Sequence, residues 1–175
     1  MYALRSALIG RPVVSLQTGQ VVGHLERPVL ELATLEVVGL SCRVTSARYP
    51  QIILATDIRQ YAADCIIIGS EDDLTDPSDL VRDDSSLKSQ YSPLGQTVIT
   101  DSGRKLGLVE DYVLNLETQC LQKLHVRKSL IQAWLGASPL LIDRTQITDI
   151  TPHQITVRDA FITNPLPATD SLSEI

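Results

Sequence analysis

Apolar and polar residues alternate along much of this chain with a period of two. In "KLHVRK" (123–128), Leu124 and Val126 fall on one side of an extended backbone, and Lys123, His125 and Arg127 on the other. "GLSCRV" (39–44) repeats the pattern, with Leu40, Cys42 and Val44 set against Ser41 and Arg43. Such alternation predicts short strands with one buried face. Helical periodicity is confined to the edges: "DPSDLVRDDSSLKS" (76–89), with Pro77 and Ser78 near its start, predicts a short linker helix. "SLIQAWLGAS" (129–138) predicts a helical turn carrying Trp134.

The strand pattern is written twice. With Gly19 set against Gly103, residues 19–40 align without gaps to 103–124. Gly19/Gly103, Gly23/Gly107, Glu26/Glu110, Val29/Val113, Leu30/Leu114, Leu32/Leu116, Thr34/Thr118 and Leu40/Leu124 are identical. Upstream, Ile9-Gly10 matches Leu94-Gly95; downstream, residues 57–68 match 146–157. A duplicated unit of this size is a small domain rather than a solenoid repeat. The predicted organisation is therefore a first copy over 1–70, an acidic linker over 71–92, a second copy over 93–160 and a disordered tail over 161–175. Gly19 and Gly103 lie where a tight turn needs positive φ. Gly23 and Gly107 fall inside strands, where glycine marks a bulge or sharp bend. Glu26 and Glu110 share one strand position, which predicts a structural hydrogen bond or ion pair. These six residues are assigned structural roles.

Charge and composition narrow the function. The net charge is −6, and seven aromatic residues (five Tyr, one Trp, one Phe) offer little stacking surface, so direct nucleic-acid binding is disfavoured. Cys42, Cys65 and Cys120 form no CxxC pair and read as small buried hydrophobes. The start of the chain has no secretory pattern, and no apolar run approaches the roughly 20 residues of a membrane-spanning helix. The expected location is cytoplasmic, with peripheral association at a membrane through a partner. His24, His125 and His153 occupy unrelated repeat positions and have no metal or catalytic spacing. The acidic run 70–84 lacks the ligand spacing and glycine of a calcium loop. No catalytic residue, metal or cofactor is assigned, and the chain reads as a non-enzyme. The basic residues Arg104, Lys105, Lys123 and Arg127, with His125, gather on the second copy, opposite mostly neutral residues of the first. With Trp134 they form the candidate partner-binding set.

"LIGRPVVSLQTGQVVGHLE" (8–26), "PLGQTVITDSGRKLGLVEDYVLN" (93–115) and "LLIDRTQITDITPHQITV" (140–157) resemble the PRC-barrel family. That family includes the cytoplasmic domain of the photosynthetic reaction-centre H subunit and a domain of the ribosome-maturation factor RimM. The second copy follows the family pattern closely. The first has Val22 in place of the leucine of "LG", and Arg27-Pro28 after Glu26 in place of Asp-Tyr. Tandem copies with this ending are most similar to cyanobacterial members. The resemblance implies an all-β fold of two tandem small barrels. It also implies a non-enzymatic adaptor or assembly factor that docks on a protein of a large complex, a photosynthetic membrane complex being the first case. The alternative is a RimM-like ribosome maturation or RNA-processing-associated factor that meets a ribosomal protein.

Overall fold

Two long hairpins, each with its apolar positions on one face, organise the molecule. The computed structural model describes residues 1–79, 91–128 and 139–159. Trp134 and the rest of the 129–138 insertion, most of the expected linker helix and the tail from 160 lie outside them. The first hairpin joins β3 (Val21–Leu30) to β4 (Val37–Arg43), and the second joins β10 (Lys105–Asn115) to β11 (Cys120–Arg127). Around the first lie β2 (Pro12–Ser15), β5 (Gln51–Leu54), β6 (Ile58–Tyr61), β7 (Ile66–Ile68) and β8 (Leu74–Thr75). Around the second lie β9 (Thr97–Thr100), β12 (Leu140–Asp143), β13 (Ile147–Ile150) and β14 (Gln154–Val157). The first sheet runs β6-β7-β2-β3-β4-β5-β8 and the second β13-β14-β9-β10-β11-β12. In each, a single parallel pair, β2 with β7 or β9 with β14, interrupts antiparallel neighbours.

Irregularities fall at matching places. In the first hairpin Leu25 faces Cys42 and Arg27 faces Ser41, which leaves Glu26 as an extra, unpaired residue. In the second, Val109 faces Val126 and Asp111 faces His125, which leaves Glu110. These bulges bend each long strand, so both sheets curl. No pairing among the described residues joins the outer strands of either sheet, and those residues form two curled, half-barrel sheets. Leu35 and Gln119, also 84 residues apart, both take positive φ, 58° and 53°, at the hairpin turns.

The two halves are not separate beads. One core cluster takes Leu25, Leu40, Ile53 and Ile66 from the first sheet and their counterparts Val109, Leu124, Ile142 and Ile155 from the second. The hairpin turns meet reciprocally: the Val37 N–H donates to the Gln119 carbonyl (2.6 Å), and the Leu121 N–H donates to the Leu35 carbonyl (3.0 Å). Each half also reaches into the other. β1 (Tyr2–Leu4) pairs with Val113–Asn115 of β10, and Tyr91 bridges to Leu30 of β3. Residues 2–4, expected within the first copy, are thus strand in the second sheet, because the unpaired side of β10 offers them hydrogen bonds. A single helical turn, α1 (Arg5–Leu8), follows and buries Leu8.

The acidic segment begins as part of the first sheet rather than as a linker. Ser70 and Asp73 form a reciprocal cap on a 3-10 turn over Glu71–Asp73, and β8 then pairs with β5. Asp76 accepts hydrogen bonds from the Ser78 N–H (2.8 Å) and hydroxyl (2.7 Å), closing a turn where the sequence predicts the start of a helix.

Candidate interaction surface on the second sheet

β11 alternates as its sequence demands, so Leu124 and Val126 are buried while Lys123 and Arg127 are exposed and His125 is half-buried. Its neighbours complete the outward face. On the β10 side His125 faces Asp111, Lys123 faces Val113 and Arg127 faces Leu108. On the β12 side His125 faces Leu141 and Lys123 faces Asp143. The surface is therefore a basic stripe with a carboxylate on each side and an exposed leucine, not a uniform positive patch. Asp111, Asp143 and Leu141 escaped the sequence reading. The alternation in "LLID" (140–143) points Leu141 outward, but strand partners are not written locally.

The other basic residues divide. Arg104 and Lys105 sit at the turn between β9 and β10. Arg104 lies 3.8 Å from Asp159, so it is partly engaged within the chain. Lys105 and Arg127 have no acidic partner at ion-pair distance among the described residues. Asp159 is held below the usual carboxylate range by hydrogen bonds from Ser102, with Thr100 and Arg104 adding to the effect. Asp143 is also lowered, first by the Thr145 N–H (3.0 Å) and hydroxyl (2.8 Å) and then by Lys123. It caps the 3-10 turn Arg144–Gln146.

A pH dependence follows from that cap. A carboxyl with a depressed folded pKa stabilises above its unfolded value, near 3.9, and loses that contribution as pH falls toward the folded value. Asp143→Asn keeps an acceptor but removes the charge. Wild type should exceed the variant in stability at pH 6, and the gap should narrow as pH is lowered to 3. Urea denaturation at the two pH values measures it; a gap that stays constant would show that the ionised cap contributes nothing.

The structural residues fare unequally. Glu26 accepts from Arg43 (2.6 Å) and the Ser41 hydroxyl (3.3 Å), as expected. Glu110, expected to do the same, is exposed and has no partner among the described residues, although Arg127 occupies the place of Arg43. A β-carbon on Gly23 would stand 2.7 Å from the Arg43 carbonyl oxygen, and one on Gly107 would overlap the Arg127 carbonyl. Both glycines mark a close approach of two strands next to a register shift. Gly19 and Gly103 take φ of 68° and 83° at their turns.

The matching face of the first sheet is built differently. There Gly39, Ser41 and Arg43 replace Lys123, His125 and Arg127. Ser41 is buried, and Val29 and Ile52 form a second apolar cluster with Val38 and Leu54. Elsewhere, burial pushes the Cys42 thiol up to about 12 and the Tyr91 hydroxyl up to about 12, and it raises Tyr61 and Tyr112 further. Cys120 is buried as well, whereas Cys65 is only half-buried. No cluster of three His, Cys, Asp or Glu side chains suited to a metal occurs among the described residues. No helix among them is long and apolar enough to cross a membrane. No family model matches the chain, and no curated protein matches it at a significant level.

Proposed function

We propose that the chain is a non-enzymatic adaptor or assembly factor made of two PRC-type units that arose by duplication. Its docking surface is the outward face of β10, β11 and β12. The duplication is supported by the shared strand order and by bulges and positive-φ residues spaced 84 apart. The docking role rests on one contrast between two matching faces: in the first, Ser41, Val29 and Ile52 are buried and Arg43 is paired with Glu26, whereas the second is basic with Leu141 exposed. Lys123 and Arg127 would steer an acidic protein, and Leu141 would supply apolar contact at the centre. Asp111 and Asp143 would repel a phosphate backbone, which favours a protein partner over RNA. A complex at a photosynthetic membrane is the first candidate, on the resemblance to the H-subunit domain.

Reversing Lys123 and Arg127 to Glu tests this reading, because exposed strand positions tolerate substitution. Both forms would be used to capture complexes from native extract, with subunits quantified by mass spectrometry. The expected result is retention of the fold and loss of one defined complex by on the order of tenfold, about 1.4 kcal/mol. Equal recovery of the same subunits by both proteins would overturn it. Recovery of ribosomal proteins would favour the RimM-like alternative.

A further inference from the structure

β3 and β4 part at one end of the first sheet. Their pairing stops at His24 and Arg43, and past it lies a cleft of about 410 Å³ between the start of β3 and the approach to β8. Val22, Val44 and Leu74 give it apolar walls, and Glu71 stands among them. The Glu71 side chain is exposed and makes no ion pair among the described residues. Val21, also in the lining, is 55% exposed, and Leu16, across the same turn, is 69% exposed.

The matching end of the second sheet has the opposite character. Pairing of β10 with β11 stops at Leu108 and Arg127, the counterparts of His24 and Arg43. Past it, Lys105 holds the place of Val21, and Lys128 holds the place of Val44. Asp101 replaces Leu16: its N–H donates to the Val157 carbonyl (2.9 Å) as the Leu16 N–H donates to the Ile68 carbonyl (2.9 Å). Lys105 is exposed and has no acidic partner among the described residues. A lysine is matched to the cleft along its whole length, since its methylenes can lie on Val22, Val44 and Leu74 while its ammonium meets Glu71. The chain cannot make this contact with itself. The bonds across the seam, Val37 to Gln119 and Leu121 to Leu35, lie at the other end of each hairpin, about 30 Å of strand from the cleft and from Lys105.

We propose that the cleft receives Lys105 from the β9–β10 turn of a second copy of this chain, with Lys128 adding to the attraction. The contact joins unlike ends, so each molecule keeps one cleft and one lysine for further copies, and the product is a ring or a growing row. It is separate from the face that carries Lys123 and Arg127 and does not depend on the adaptor reading.

Sedimentation velocity of the full chain over a range of concentrations tests it. The sedimentation coefficient should rise with concentration and fall back as salt screens the pair. Glu71→Lys and Lys105→Glu should each weaken association by at least about tenfold. Asp64→Lys, an exposed position in the β6–β7 turn with the same change of charge as Glu71→Lys, should leave it unchanged. Mixing the Glu71→Lys and Lys105→Glu proteins should restore association that neither shows alone, because each then supplies the charge that the other lacks. That recovery also shows that both variants are folded. A wild-type chain that stays monomeric at every concentration would overturn the proposal. So would equal weakening by Asp64→Lys, or a mixture that fails to associate.

Discussion

Gly107→Ala should destabilise the protein by about 3 kcal/mol or more, a large effect for the addition of one methyl group. The added carbon would overlap the Arg127 carbonyl oxygen, stand 2.8 Å from its carbonyl carbon and press on Val126 at 3.0 Å. The first two of those atoms are backbone in the neighbouring strand and cannot rotate away, so β10 and β11 must separate where β10 also meets β9 through a register shift. Gly23→Ala, with its nearest contact at 2.7 Å, should follow with a smaller loss. Gly103→Asn is the control. It keeps a residue that tolerates φ of 83°, has nothing within 4 Å, and should cost less than about 1 kcal/mol. Urea denaturation of the three variants ranks them. Equal losses at 103 and 107 would mean that the strand approach is not what requires glycine.

Leu121→Ala should lower stability by about 2–5 kcal/mol, and it should do so for both sheets at once. Leu121 is fully buried, and its N–H bonds to Leu35 across the seam, in a core shared by the two halves. The expected unfolding is a single transition. Cys42 reports on the other sheet: it is buried, and its thiol is held protonated. Labelling of Cys42 in the Leu121→Ala variant should accelerate by the same free energy as the loss in global stability. Two transitions, with Cys42 unaffected, would show that the sheets unfold independently.

These two variants also mark what the sequence reveals and what it hides. Period-two alternation placed Leu124 and Val126 inside and Lys123 and Arg127 outside, because strand sidedness is a local property of the pleat. The paired glycines mark the register shifts beside Gly23 and Gly107, whereas the bulges at Glu26 and Glu110 are not legible, because the glutamates announce only a hydrogen bond or ion pair. The seam was not legible. Nothing in "YAL" says that its hydrogen bonds are made to Val113–Asn115, because pairing at that separation is decided by which edge is left open. The contrast between Glu26 and Glu110 also escaped, since identical residues at identical bulges differ only in whether an arginine swings across. The candidate surface was half legible: its cations were visible in the alternation, but Asp111, Asp143 and Leu141 come from two other strands.

The reciprocal exchange of strands sets a timetable for biosynthesis. Tyr2 pairs with Asn115, 113 residues later, so β1 has no partner in the second sheet until those residues have been made. At about 5–20 residues per second, that wait is roughly 6–23 s. The first sheet can form its own hairpin meanwhile, but Leu30 waits for Tyr91 and Leu35 waits for Leu121. During that interval the apolar side of the nascent first half has no second half to cover it, and a chaperone that shields it would be acting on a surface the finished molecule never displays.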